Sequence, residues 1–291
     1  MEHPSPVASL RHAIPYLRHH RGQTFVVKCG GEGLRTQEEA LRVLEQLQVL
    51  HDLGVRVVFV HGGGTQANEL AKRLGVEYTF VEGRRATSRE MLQVSILALN
   101  GEVQATLLGA CRKLGVDAVG LSGIDSGLIQ AEPRSKVPID FGHVGEIVGI
   151  DTKVLESLLD RGHLPIVSPL AADANGEPLN INADTVAAAI AVAIGASKLI
   201  MLTGAEGILE TFGDPTTLIS QLALTELEAL IESGKLSGGM LPKSSAIHSA
   251  LKGGVDRVHV IGFGYPDSIL TELFTNEGCG TLISLTECDL L

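Results

Sequence analysis

Two short apolar runs, each closing on glycines, constrain this chain most. The first is Thr24-Phe25-Val26-Val27, followed by Lys28-Cys29-Gly30-Gly31. The second, Val55 to Val60, ends in His61-Gly62-Gly63-Gly64. β-Branched and aromatic residues in a short continuous run predict a buried strand. Glycines at a strand end let the backbone turn sharply and present its N–H groups to a ligand. A lysine beside such amides adds a positive charge at the same point, which suits phosphate oxygens. One such turn alone reads as a strand end with a surface lysine. Gly30-Gly31-Glu32-Gly33 also matches neither the dinucleotide pattern GxGxxG nor the Walker ending. Two in succession, each feeding a helix, place both turns at the carboxyl edge of one parallel sheet.

The rest of the chain continues that alternation. Ahead of the first strand, Val7, Leu10, Ile14 and Leu17 are spaced for an amphipathic helix, which Pro15 is expected to kink or split. Lying outside the alternation, it buries its stripe on its own domain or on a neighbouring subunit. Leu41, Leu44, Leu47 and Leu50 predict a helix ending near Gly54, and a further helix runs from about Gln66 to Leu74. Thr87 with Glu90 predicts a capping box for a helix through Leu99, broken at Asn100-Gly101 before another helix to Leu114. Asp117 to Leu121 is the third strand, and Leu128 to Gly149 reads as a β-rich flap. Leu155 to Arg161 is helical, Leu164 to Ser168 is a strand, and the polar stretch Ala171 to Glu177 is the candidate lobe boundary. Asn180-Ile181-Asn182-Ala183-Asp184 opens an apolar helix, with Asn182 or Asp184 available to cap it. Leu199 to Thr203 is a strand ending in Gly204 and Gly207, and Thr225 with Glu228 predicts a second capping box. Gly238 to Lys243 begins the next helix, followed by a strand at Val258 to Ile261, a helix at Ser268 to Phe274 and a closing strand at Thr281 to Leu285.

Composition removes several function classes. Aromatic residues make up 3% of the chain and the formal net charge is -11. This argues against both the stacking platforms and the general basic surface of a nucleic-acid binder, and leaves room only for a local basic cleft. Cys29, Cys111, Cys279 and Cys288 form no CxxC pair, as expected of reduced thiols in an intracellular protein. The basic first 23 residues have no apolar signal core, and the apolar run Val186 to Ile194 is too short to span a bilayer. The expectation is a cytoplasmic protein with no membrane partner and no residue assigned as a metal ligand.

The segments VVKCGG, VHGGG, GRRAT, VGLSG, DFGHVGEI, NINADTVA, GGMLPK and FTNEGCGT, in that order, resemble the amino-acid kinase family, and within it the N-acetylglutamate kinases. The resemblance implies a three-layer αβα sandwich with a mainly parallel central sheet, extended here by the kinked N-terminal helix. It implies residues 1–23 as that extension, 24–172 as a lobe for the acetylated amino acid, and 173–291 as a lobe for ATP. Lys28 and Lys243 would contact the phosphoryl group in transfer, and Asp184 would hold both. Gly63 and Gly64 would offer amides to the substrate, Arg85 would grip a substrate carboxylate, and Asn180 would meet its acetylated end. Gly30, Gly31, Thr203 and Gly207 would face the phosphates of ATP, with Mg²⁺ bridging them. The implied reaction phosphorylates the side-chain carboxylate of N-acetyl-L-glutamate in arginine biosynthesis. A kinase of another carboxylate, such as a carrier-bound aminoadipate, or a catalytically weak sensor are the alternatives.

Physical chemistry agrees with the implied reaction. Joining two anions calls for charge neutralisation and alignment. No general base is needed for a carboxylate already ionised near pH 7. Two positions depart from the family pattern: Glu32 stands where a small residue or Asn is usual, and Gly204 where Asp follows Leu-Thr. The first helix resembles that of hexameric, arginine-inhibited members, so a homo-oligomer, either a dimer or a hexamer built from dimers, is expected. Phe263, Gly264 and Asp267 replace residues of the arginine site, so arginine inhibition is expected to be weak or absent.

Overall fold

A computed structural model describes residues 6–81, 84–211, 213–234, 236 and 240–286, without side chains for 6–10 and 12. The stripe positions Val7 and Leu10, the glycines Gly83, Gly238 and Gly239, and Cys288 therefore lie outside the described residues or side chains.

Helix α1 (Pro6–His20) carries Pro15 within one continuous helix, so the chain is not split there. Strand β1 (Thr24–Cys29), helix α2 (Gln37–Asp52), strand β2 (Arg56–His61) and helix α3 (Gly64–Leu74) follow as the sequence predicts. Helix α2 is started by Thr36, whose hydroxyl accepts from Glu39 N–H while the Glu39 carboxylate accepts from Thr36 N–H. A hairpin of β3 (Thr79–Val81) and β4 (Arg84–Ala86) comes next, which periodicity did not reveal.

The following helix corrects the sequence reading twice. Its N-cap is Ser88, which accepts from Met91 N–H; Thr87 is buried one residue earlier and does not cap. Nor does Asn100-Gly101 break it. Helix α4 (Arg89–Ile96) passes through a π-helical segment (Leu97–Val103) into α5 (Gln104–Leu114). Buried Met91, Val94, Ala98, Val103 and Leu107 hold both halves against the fold, so packing overrides the local cost of glycine. Among the described residues this stretch is long and apolar enough to cross a membrane, but half of its apolar window is buried inside the protein.

Strand β5 (Ala118–Ser122) leads into the flap, where β6 (Ile129–Pro133) and β7 (Gly145–Ile150) pair antiparallel. Helix α6 (Lys153–Asp160), β8 (Leu164–Ser168), β9 (Leu170–Ala172), β10 (Pro178–Asn180) and α7 (Ala183–Ala193) complete the first half. The expected lobe boundary at 172/173 falls within the β9–β10 hairpin. The second half contains β11 (Lys198–Thr203), β12 (Gln221–Ala223), α8 (Leu224–Glu232), α9 (Met240–Lys252), β13 (Arg257–Gly262), α10 (Ser268–Phe274) and β14 (Thr281–Ser284). Helix α8 starts at Ala223, whose N–H donates to Glu226, so the Thr225 and Glu228 capping box is not formed.

The main sheet has eight strands in the order β12-β14-β13-β11-β1-β2-β8-β5. All neighbours pair parallel except β13 and β14. One apolar core lies between this sheet and α7, α8 and α9, and a second lies under α2, α5 and α10. The protein is thus the expected αβα sandwich, its outer helices carrying apolar faces onto both sides of the sheet.

Strand β1 is central and buried on both faces. Because successive side chains alternate, Val26 enters the α7 side while Phe25 and Val27 enter the α2 side. The same alternation turns Lys28 towards α7. The chain leaves β1 for β2 on one flank and later returns to β11 on the other. The carboxyl ends of β1 and β11 therefore bound a topological switch point, the crevice where such sheets bind ligands.

The last turns of α1 pack on their own chain. His20 Nε2 lies 3.0 Å from Leu273 O, its ring packs edge-on against Phe25 and Phe274, and the Tyr16 hydroxyl donates to Asn276 Oδ1. Burial pushes the His20 ring down to about 4, so it is neutral near pH 7.

Candidate active site

Asn182 caps α7, its Oδ1 accepting from Asp184 N–H and Thr185 N–H. That frees the Asp184 side chain, which faces two lysines instead. Asp184 Oδ1 lies 2.7 Å from Lys28 Nζ and 3.4 Å from Lys243 Nζ, and all three side chains are buried. Lys28 comes from the end of β1, Asp184 from the first turn of α7, and Lys243 from the first turn of α9. Burial by itself would raise the Asp184 pKa, but the charges of Lys28 and Lys243 outweigh it and hold the carboxyl below its usual value. Lys243 is pushed below the ordinary lysine value, first by burial and then by Lys28. One carboxylate shared by two buried ammonium groups leaves a net positive charge, and Lys28 and Asp184 reach an open cleft.

The two glycine turns lie against each other beside this triad. Gly62 N–H donates to Cys29 O at 2.7 Å. A Cβ on Gly62 would stand 3.3 Å from Gly31 N, and one on Gly31 would stand 2.9 Å from Gly63 Cα. Side chains here would wedge the turns apart; this close approach, rather than a positive φ, requires glycine at Gly31. Gly63 in turn receives Leu99 from the π-helical segment, Cδ2 lying 2.7 Å from where a Cβ would be.

A residue that sequence reasoning missed ties the two turns together. Gln66, buried in the first turn of α3, donates from Nε2 to Gly31 O at 2.8 Å and to Leu34 O at 2.9 Å. Two carbonyl partners fix its amide orientation, since only the NH₂ group can donate to both. Among the described residues its Oε1 has no N–H or O–H partner, and the Gly31 Cα hydrogen is directed at it, a weak but recurrent contact. The available sequence signal was a polar residue one turn into a helix that begins on three glycines. His61 plays a similar holding part. Its Nε2 lies 2.6 Å from Gln104 Oε1, and Gln104 donates to Ile166 O at 3.0 Å. Burial pushes His61 down to about 4, so its neutral ring serves the turn and is ill-suited to proton transfer.

A cleft of about 810 Å³ is lined by Lys28, Gly30, Gly31, Gly63, Gly64, Arg85, Asn180 and Asp184. The structure thus brings most of the residues singled out from the sequence to one place. Arg85, at the β3–β4 hairpin, donates to Gly64 O at 3.1 Å and to Asn68 Oδ1. Its guanidinium lies 5.2 Å and 5.0 Å from the ring centroids of Tyr78 and Phe80. Among the described residues no carboxylate pairs with it, and burial pulls its pKa below the ordinary arginine value. Asn180 donates from Nδ2 to Thr87 Oγ1 at 3.2 Å. Lys243, Thr203 and Gly207 are not among the residues that line this cleft. Thr203 ends β11, with Oγ1 accepting from Ala205 N–H at 3.2 Å. Gly207 is buried where a Cβ would stand 2.7 Å from both Leu218 Cδ1 and Thr281 Oγ1, which gives its lack of a side chain a packing reason.

A second cavity of about 640 Å³ lies between α1 and the second half, bounded by Tyr16, His20, Lys198, Glu272, Glu277 and Gly278. Among the described residues no group of three or more His, Cys, Asp or Glu side chains is placed to hold a metal ion.

Residues 23–262 match the amino acid kinase family, and the chain belongs to it. The acetylglutamate kinase of Symbiobacterium thermophilum is 40% identical over 282 residues, which cover 95% of this chain and 96% of that protein. The acetylglutamate kinase of Archaeoglobus fulgidus is 41% identical over 285 residues, covering 95% and 98%. Among solved structures, N-acetylglutamate synthase from Neisseria gonorrhoeae complexed with coenzyme A and N-acetyl-glutamate superposes with a TM-score of 0.86 at 30% identity. The match covers 98% of this chain but 65% of the synthase. Carbamate kinase from Giardia lamblia bound to AMP-PNP shares the fold, with a TM-score of 0.67 at 17% identity over 91% of this chain and 99% of that one.

Proposed function

We propose that this chain transfers the γ-phosphoryl group of ATP to the side-chain carboxylate of N-acetyl-L-glutamate, giving N-acetyl-L-glutamyl 5-phosphate for arginine biosynthesis. The observation that carries the reading is the grip of Asp184 on both Lys28 and Lys243 beside two interlocked glycine turns. The near-full-length identity to acetylglutamate kinases supports the choice of acceptor.

In this mechanism an acceptor carboxylate oxygen bonds to the γ-phosphorus as the bond to the β,γ-bridging oxygen breaks, and ADP departs with that electron pair. No proton moves, so the site works by position and charge. Lys28 and Lys243 neutralise the oxygens of the transferring group, and Asp184 keeps both ammonium groups aimed at it. The amides of Gly30, Gly31, Gly63 and Gly64 complete the cradle. Arg85, a half-buried cation with no carboxylate partner among the described residues, takes the carboxylate of the acceptor that is not phosphorylated, and Asn180 takes its acetyl amide. The acceptor lies over the half formed by residues 24–172, and the nucleotide over residues 173–291, reaching the site past Thr203 at the end of β11. Asp184 is engaged by the lysines, so the donors present fit Mg²⁺ carried on the nucleotide phosphates better than Mg²⁺ held by the protein. When bound, Mg²⁺ supplies charge neutralisation between those phosphates. The enzyme acts as a cytoplasmic homo-oligomer.

The test is hydroxylamine trapping of the acyl phosphate formed from ATP and N-acetyl-L-glutamate, run beside a panel of other carboxylates. A hydroxamate formed fastest from N-acetyl-L-glutamate is expected. Folded protein that yields none with Mg²⁺-ATP overturns the proposal, and faster turnover of another acceptor reassigns the substrate.

A further inference from the structure

Glu32 stands at the carboxyl end of β1, beside the switch point, and holds neither lysine of the triad. It follows Gly31 in the short 3-10 turn after β1 and is exposed. Among the described residues its carboxylate enters no ion pair or side-chain hydrogen bond. Two glycines lie beside it. A Cβ on Gly30 would stand 3.6 Å from Lys28 Nζ and 3.8 Å from Glu32 Oε1, so the ammonium and the carboxylate flank one point. A Cβ on Gly204, across the crevice at the end of β11, would stand 3.5 Å and 3.6 Å from the two Glu32 oxygens. The Glu32 charge is also felt at Lys243, whose protonated form it favours.

Charge bookkeeping then gives this carboxylate a consequence. Lys28 and Lys243 against Asp184 alone leave a formal charge of about +1, and Glu32 brings the group to about zero. A polyphosphate entering the crevice without a counter-ion meets a carboxylate at the phosphate turn. With a divalent cation on its phosphates, that carboxylate becomes attractive, because carboxylate oxygens are among the hard donors such cations prefer.

We propose that Glu32 makes this site select the divalent-cation complex of the nucleotide over the free nucleotide. The inference rests on the nucleotide placement proposed above and adds a specificity residue to it. Glu32 is exposed, so solvent screens the effect, and selection on the order of tenfold is expected from it, about 1.4 kcal/mol.

The experiment measures ADP binding to the full-length protein by calorimetry, in excess EDTA and in excess Mg²⁺. Wild type is compared with Glu32→Gln and with the double variant Glu32→Gln, Gly204→Asp. Glu32→Gln is expected to bind cation-free ADP about tenfold more tightly than wild type does. Mg²⁺-ADP is expected to bind no better than before, so that the ratio of the two dissociation constants falls about tenfold. The double variant returns a carboxylate to a neighbouring point from the opposite strand and is expected to recover the ratio. Thermal melts confirm that both variants are folded. A ratio unchanged in Glu32→Gln, or changed there and not recovered in the double variant, overturns the proposal. Wild-type protein that binds neither form of ADP overturns the nucleotide placement itself, and this inference with it.

Discussion

Replacing Asp184 by Asn tests the triad most directly, because the change keeps shape and removes one charge from between two buried ammonium groups. At an effective dielectric constant of about 20, contacts of 2.7 Å and 3.4 Å correspond to about 6 and about 5 kcal/mol of attraction before desolvation is counted. Most of that offsets the cost of burying the three ions. Breaking a buried pair by removing one partner typically costs about 3–5 kcal/mol. Lys243 already has a lowered pKa and can relieve the repulsion by releasing its proton, which puts the expected loss near the lower end, about 3 kcal/mol. With 291 residues and roughly 2.1 cal/mol/K of unfolding entropy per residue, that is a fall in Tm of about 5 °C.

The pH dependence carries the sharper signature. In wild type the folded pKa of Asp184 is lowered, so its stabilisation is present above the unfolded carboxylate value and lost as pH falls through the folded one. In Asp184→Asn, Lys243 loses a partner that favours its charged form, so its folded pKa drops further below the unfolded value. The folded variant then binds fewer protons than the unfolded chain across that window, and its stability rises with pH. The gap between the two proteins should therefore be widest near neutrality and narrow towards both acid and alkali. Calorimetric melts from about pH 3 to about pH 9 measure it. Turnover in the hydroxamate assay should fall on the order of 10²–10³, by analogy with other lost transition-state groups. A variant that melts within about 1 °C of wild type at neutral pH, or a gap that ignores pH, would refute the coupling of the three residues.

Other outcomes are expected at neighbouring positions. Arg85→Ala should mainly raise the KM for the acceptor with a smaller change in kcat, and an unchanged KM would remove Arg85 from the acceptor site. Turnover should decline on the alkaline side at a pH below the ordinary lysine value, because Lys243 must be protonated and its pKa is lowered; Lys243→Arg, slower overall, should push that limb upward, and an unmoved limb would assign it elsewhere. Gln66→Met should lower kcat roughly tenfold or more in protein that still folds, since two buried carbonyls lose their donor and the β1 turn loosens; full turnover would make Gln66 a packing residue. Removing residues 1–13 keeps the Tyr16 and His20 contacts and should reduce a larger assembly to a dimer by light scattering, while arginine titrated into the assay should inhibit weakly or not at all; equal masses, or strong inhibition, would count against these two expectations.

The strands and their glycine ends were legible because they rest on local physics: continuous apolar runs, and residues that permit a sharp turn. Boundaries failed where tertiary contacts decided. Asn100-Gly101 has the local signature of a break, yet the helix continues because the residues on either side are buried and Asn100 Oδ1 accepts from Ser168. Thr87 looked like a cap but is committed to β4 and the flap: its N–H donates to Phe141 O, and its hydroxyl accepts from Asn180. The β3–β4 hairpin was missed because each strand is short and partly exposed, leaving no period to read. The lysines and Asp184 were singled out by motif order, but their mutual contact is a property of three separate elements. Gln66 was invisible for the same reason, since its partners lie more than thirty residues away.

Strand alternation and sheet topology together account for where the proposed site sits. Val26 must face α7 to fill that core, which turns Lys28 the same way two residues on. Asp184 meets it only because Asn182, and not Asp184, caps α7. Lys243 arrives from α9, which packs beside α7 on that face. The crevice between β1 and β11 stays open because the chain leaves β1 in one direction and returns from the other. Glu32 and Gly204 face each other across it. A Cβ on Gly204 would stand 3.5 Å from the nearer Glu32 oxygen, so a carboxylate from either side would serve the proposed selection at neighbouring points. Charge there can be exchanged between strands without moving the lysines, which is why the double variant at these two residues separates the location of a charge from the identity of the residue bearing it.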